Sequence, residues 1–153
     1  AAMSESPGIP CPIGADVEAA LWTKLTINCA FNAISALGNS PYGWMVASPS
    51  IRSLMEAAVR ETVAVARATG TRLDADGLVA ATWKLAAAMP DQYSSMAQDV
   101  QRGKGTEIDA LNGFVASRGA ELGIDAPVNR TLHALVKLRE QSAAGQSSKM
   151  SAS

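Results

Sequence analysis

Apolar residues recur three and four positions apart along most of this chain. No stretch alternates Val, Ile and aromatics with polar residues at a period of two. The first pattern gives a helix one buried face, whereas a half-buried strand needs the second, so the chain is read as all-α. Gly, Pro and short polar residues punctuate the helical runs into about six helices. Asp16 can cap a long first helix that reaches Leu37 and stops at Gly38. The next starts at Ser48-Pro49, with the proline in the first turn, where its missing N–H costs nothing, and ends at Gly70. Leu54, Val59, Val63 and Val65 form its apolar side, while Arg52, Glu56, Arg60 and Glu61 form its wet side. A third helix covers about residues 75–88 and ends before Pro90, and a short one over 94–102 is closed by Gly103. Thr106 and Asp109 have the spacing of a capping box that opens a fifth, running to Gly123. The last follows Pro127 and spans Val128 to Glu140.

These helices fill one domain, residues 16–140, a length that buries a core without disulfides or metals. Residues 1–15, with three prolines and two glycines, read as an extended leader. The Ser/Ala/Gly-rich residues 141–153 read as a flexible tail. Lys and Arg number 13 against 14 Asp and Glu, in no cluster, so the charge pattern argues against a nucleic-acid or anionic-membrane partner. Two cysteines, Cys11 and Cys29, make no disulfide framework and favour a reducing compartment. The start of the chain has no apolar signal-peptide core. The most apolar segment, 17–37, carries Glu18, Lys24, Asn28 and Asn32, which lipid would not tolerate. A soluble, cytoplasmic protein is expected.

The first helix also carries the most chemistry. LWTKLTINCAFNAISAL is apolar nearly all the way round, which implies burial on most sides. Lys24, Asn28 and Asn32 nevertheless fall at i, i+4 and i+8, a single stripe that drifts by about 40° per step. An ammonium and two carboxamides on a buried helix need partners, since an unpaired polar group costs roughly 1–3 kcal/mol. A small oxyacid would provide them: the cation meets a carboxylate or polarises a carbonyl, and the amides hold the other oxygens. Equally, the lysine can extend to solvent and the asparagines can cap a neighbouring helix.

A second cluster, QYSSMAQDVQRGKGTEIDALNG, occupies residues 92–113. Ser94 and Ser95 are ordinary helix-start residues. Glu107 falls at a first helical position, where its carboxylate suits the positive end of the dipole. The Arg-Gly-Lys-Gly turn can hold a phosphate or simply face water. His133 has no second histidine nearby, so no metal site is expected. The sequence holds no dinucleotide fingerprint, P-loop, paired CxxC or nucleophile elbow.

Three stretches together resemble the C-terminal domain of the ketopantoate reductase family. Residues 21–39, LWTKLTINCAFNAISALGN, match its W-x-K-L-x-x-N-x-x-x-N pattern. Residues 94–113, SSMAQDVQRGKGTEIDALNG, match its S-S-M-x-x-D and T-E-I-D-x-x-x-G signatures, and residues 123–137, GIDAPVNRTLHALVK, fit its ending. They come in family order and spacing over about residues 8–140. The resemblance implies NADPH-dependent reduction of ketopantoate to pantoate, on the way to pantothenate and coenzyme A. It implies an N-terminal Rossmann domain for NADP as partner, a small 2-keto acid bound in the cleft between the domains, and frequent homodimers. It further implies that Lys24 is the catalytic lysine, that Asn28 and Asn32 bind substrate, that Ser95 contacts the substrate carboxylate, and that Glu107 reaches the bound cofactor.

Two positions depart from the family pattern: Gln92, three residues before the second serine, and Tyr42, in the loop after the first helix, both often Asn there. Another 2-keto acid therefore stays open. The chain also lacks a strand–helix unit and glycine fingerprint ahead of residue 16, so on its own it is not expected to bind NADPH well or turn over. The competing reading is a non-enzymatic helical module that self-associates through Ala30, Ala33 and Ala36 on the first helix and Ala86, Ala87 and Ala88 on the third.

Overall fold

The computed structural model describes residues 12–152, with side chains described for 14–145. Within them the chain forms α1 (Pro12–Gly38), α2 (Tyr42–Ala47), α3 (Pro49–Ala68), α4 (Ala75–Ala88), α5 (Ser95–Gln101), a 3-10 turn at Ile108–Ala110, α6 (Asn112–Leu122) and α7 (Pro127–Ala152). The described residues contain no strand. Helix α1 is the central rod: α3, α5 and α7 pack along it, and α6 packs on α7. The core gathers where they converge, around Phe31, Met55, Val59, Val63, Met96, Ile108, Val115 and Val136. No helix among the described residues is long and apolar enough to cross a membrane.

The local stop signals work as read. The Ser48 hydroxyl accepts from the Ile51 N–H at the start of α3, and Pro49 follows at its first position. Gly70 and Gly123 take left-handed backbone just past α3 and α6. Four expectations need correction. Helix α1 begins at Pro12 rather than Asp16, inside the span read as leader, of which residues 1–11 lie outside the described residues. Helix α7 passes Glu140 and runs to Ala152, because Ala143 and Ala144 favour helix over a frayed tail. Residue 153 of that tail lies outside the described residues.

Third, helix α2 has no signal in the sequence. Six residues with an internal glycine carry no readable period, and the helix exists because a neighbour caps it. The Tyr42 N–H donates to the Gln92 carbonyl (2.9 Å) and the Gly43 N–H to that of Pro90 (2.8 Å). Position 43 must be glycine for this approach, since a Cβ there would lie 2.9 Å from the Pro90 oxygen. Fourth, the capping box does not form. The Thr106 hydroxyl accepts from Ile108, two residues on, and the Asp109 carboxylate turns away to α7. A short 3-10 turn precedes α6 instead.

The first helix is not buried evenly. Its start is open, with Val17 52% and Leu21 62% exposed, its middle is half-covered, and residues 29–36 are sealed. Ala30, Ala33 and Ala36 are therefore core residues, unable to meet a second copy; Ala86 is also buried, whereas Ala87 and Ala88 are exposed. Cys29 is fully buried, and burial pushes its thiol up to about 12 against a hydrogen bond from Thr62, so it packs rather than reacts.

Two acidic side chains hold α7 in place. The Glu61 carboxylate on α3 accepts the N–H groups of Val128 and Asn129 and the Asn129 amide, each at 3.0 Å. It caps the first turn of α7 from 67 residues away in sequence, so it is not the solvated residue its helical position suggested. Asn129 in turn accepts from the Asn112 amide (2.9 Å), which also donates to the Cys29 carbonyl. At the other end, the Glu140 carboxylate accepts from both the N–H and the hydroxyl of Thr106.

Candidate functional site

The uneven burial of α1 decides what its polar stripe can do. Lys24 is exposed, Asn28 is half-buried, and Asn32 is only 7% exposed. The stripe thus runs from open surface down into the edge of the core. Nearby hydroxyls, those of Thr23 and Thr26, are spent on carbonyls of α1 itself. The Lys24, Asn28 and Asn32 side chains have no hydrogen-bond or ion-pair partner among the described residues, so the capping alternative for the asparagines is not realised.

Helix α5 is pinned beside the deep end of the stripe. Ser94, 1% exposed, donates its hydroxyl to the Asn32 carbonyl (3.2 Å), and its N–H donates to the Ser35 hydroxyl (3.2 Å). That same Ser94 oxygen accepts the Ala97 N–H and so caps α5. Ser35 in turn donates its hydroxyl to the Ser40 carbonyl (2.8 Å). Ser94 and Ser35 are therefore the joint between the two helices, a role invisible in the sequence because they are 59 residues apart. The joint leaves Ser95 exposed at the first position of α5, one residue after the Ser94 that bonds the Asn32 carbonyl.

Tyr42 also packs on α1. Its ring lies 4.2 Å, centroid to centroid, from that of Phe31, the residue just before Asn32. It is 8% exposed, burial pushes its phenol up, and the hydroxyl has no partner among the described residues. Since its N–H is bound by the Gln92 carbonyl, the two positions that depart from the family pattern are direct neighbours. The Gln92 side-chain amide donates to the carbonyl of the next residue, Tyr93 (2.8 Å).

Glu107 stands apart. Its carboxylate is exposed at the residue before the 3-10 turn, not at a first helical position, and no contact among the described residues joins it to Lys24. Its segment is nevertheless tied to α1, since Asn112 donates to the Cys29 carbonyl and Phe114 meets Trp22 at 5.9 Å. With Leu21 and Leu25 these two rings frame a shallow apolar notch of about 180 Å³ beside Lys24. The described residues hold no cluster of His, Cys, Asp and Glu suited to a metal ion.

Fold and face together define a class: an all-helical domain presenting a graded polar stripe and a rim of exposed apolar side chains. The comparisons with known proteins make it particular. Residues 16–140 match the family described as ketopantoate reductase PanE/ApbA C terminal. The 2-dehydropantoate 2-reductase of Pyrobaculum aerophilum is 38% identical over 125 residues, 82% of this chain and 44% of that protein. A PanE/ApbA family ketopantoate reductase from Ralstonia eutropha superposes with a TM-score of 0.78 at 48% identity, over 82% of this chain and 42% of that one. A dimeric ketopantoate reductase from Staphylococcus aureus gives 0.75 at 27% identity, over 83% and 44%. The chain belongs to the ketopantoate reductase family, as its C-terminal helical domain. It spans less than half the length of these relatives.

Proposed function

We propose that this domain is the substrate-binding and catalytic half of an NADPH-dependent 2-dehydropantoate 2-reductase, completed by an N-terminal nucleotide-binding half. The observation that carries the reading is the Lys24–Asn28–Asn32 stripe, and above all Asn32. On a residue only 7% exposed, this carboxamide has no protein partner among the described residues, and a bound oxyacid would supply a donor and an acceptor to it. Lys24 at the open end meets the 2-keto oxygen, donates a hydrogen bond to it and delivers a proton as alkoxide charge develops. Asn28 and Asn32 hold the substrate's hydroxyl and carboxyl oxygens, and the exposed Ser95 hydroxyl completes the carboxylate contact. The nicotinamide, when bound, supplies the hydride. Glu107 fits such a ligand: its carboxylate is exposed and without a partner among the described residues, able to accept from amide or ribose hydroxyl donors. The homodimer seen in the Staphylococcus aureus relative belongs to the same reading. The test joins the chain to its nucleotide-binding half and follows NADPH oxidation. Turnover with ketopantoate is expected, and nucleotide binding without turnover on any 2-keto acid would defeat the assignment.

Tyr42 sets the substrate range in this reading. Its ring offers an apolar wall and one hydroxyl where an asparagine offers a donor and an acceptor. Tyr42→Asn should favour ketopantoate over the analogue lacking the 4-hydroxyl by about tenfold in relative kcat/KM. An unchanged ratio would remove Tyr42 from the substrate pocket.

A further inference from the structure

The segment that carries Glu107 is anchored in the core by the fully buried Ile108, and its polar side chains are held by α7 at two points that flank Glu107. On its N-terminal side Thr106 gives both its N–H (2.8 Å) and its hydroxyl (2.7 Å) to one oxygen of Glu140. On its C-terminal side Asp109 takes the His133 ring nitrogen at 2.7 Å on one oxygen and the Lys137 ammonium at 3.3 Å on the other. Lys137 also lies 3.6 Å from Glu140, so the two points share a cation. His133, Lys137 and Glu140 fall at i, i+4 and i+7 of α7, one continuous stripe aimed at residues 106–109.

Position 113 shows that the arrangement is built. A Cβ there would sit 2.7 Å from the His133 ring, so the glycine at the start of α6 is what lets the imidazole reach Asp109. The electrostatics agree. The His133 and then the Lys137 hydrogen bond hold the Asp109 carboxyl below its usual range, and Asp109 in turn raises Lys137. Burial pushes Glu140 up, but the Thr106 donors and Lys137 outweigh it and leave that carboxyl low. Other charges nearby are accounted for: Arg130, one turn before His133, pairs with Asp125, and Lys104 and Arg139 line an adjoining groove with Glu140.

We infer that Thr106–Glu140 and Asp109–His133 form a two-point clamp through which α7 positions Glu107 for its ligand. The inference rests on the proposed function for what Glu107 contacts, but the clamp itself is testable without it. Because Asp109 and Glu140 have lowered carboxyls, the hold is present above the ordinary carboxylate range, near pH 4, and is lost as pH falls through their lowered values. His133 and Lys137 are positioning residues and touch no substrate.

The experiment has two arms. Hydrogen exchange on the chain follows the amides of residues 106–110 in His133→Ala, Glu140→Ala and His133→Gln. Exchange there should quicken on the order of tenfold in the alanine variants, stay unchanged in α1 and α3, and recover in His133→Gln, whose amide still donates to Asp109. Wild-type exchange at 106–110, or acceleration spread evenly over α1 and α3, would overturn the clamp. In the two-domain protein, both alanine variants should raise KM for the nicotinamide nucleotide several-fold, with KM for the keto acid unchanged. A loosened segment with an unchanged nucleotide KM would overturn the positioning role. If the wild-type protein reduces no keto acid, the proposed function falls while the exchange arm still decides the clamp.

Discussion

Lys24→Ala, made in the two-domain protein, is expected to lower kcat for ketopantoate reduction by about 10²–10⁴-fold, the range for a lost general acid and charge stabiliser. The fold should survive. Lys24 is exposed and makes no hydrogen bond or ion pair among the described residues, so its removal leaves no orphaned buried group. NADPH oxidation with saturating ketopantoate measures the first half of this statement, and thermal unfolding of the same variant the second. Lys24→Arg should restore the charge but little of the rate, because a guanidinium does not give up its proton in this pH range. If Lys24→Ala kept more than about a tenth of wild-type kcat, the assignment of this lysine as the proton donor would be wrong.

The largest effect on stability is expected at Glu61. Glu61→Ala removes an acceptor for three donors at once, two of them backbone N–H groups at the start of α7. Asn129 would keep only its longer contact to the Ala58 carbonyl (3.4 Å) and the bond it accepts from Asn112. Asn112 has no slack to offer, since its side-chain oxygen Oδ1 is buried and already without a donor. A lost charged cap with donors left behind costs about 2–3 kcal/mol. For a domain of this size that is a fall in melting temperature of roughly 5–10 °C. Urea unfolding followed by circular dichroism would measure it, with Glu61→Gln, which keeps one acceptor oxygen, falling between. A loss below about 0.5 kcal/mol would mean that α7 is held by its apolar face alone.

Both expectations turn on how the domain divides its polar groups. Those that build the fold are paired: Ser35 with Ser94, Glu61 with Asn129, Glu140 with Thr106. Those on the α1 stripe have no partner among the described residues, and they lie where burial falls off along the helix. A rim of exposed apolar side chains, Val17, Leu21 and Phe114, continues from that stripe. Such a face suits a ligand and a covering domain better than bulk water.

What the sequence by itself determined was whatever depends on neighbours within one or two helical turns. The all-α class follows from the spacing of apolar residues. Ser48-Pro49, Gly70, the Ala75–Ala88 run before Pro90 and Gly123 mark helix ends because caps and breakers act over three or four residues. The Lys24–Asn28–Asn32 stripe was legible for the same reason. Only the tertiary structure decided which polar residues are spent. Glu61 reads as a solvated residue until it meets Asn129, 68 positions away, and Thr106 and Asp109 read as a box until Glu140 and His133 claim them. Helix α2 exists only because the carbonyls of Pro90 and Gln92 cap it. A hydrogen bond between distant segments has no period and no local spacing, so it emerges only when packing brings donor and acceptor within about 3 Å.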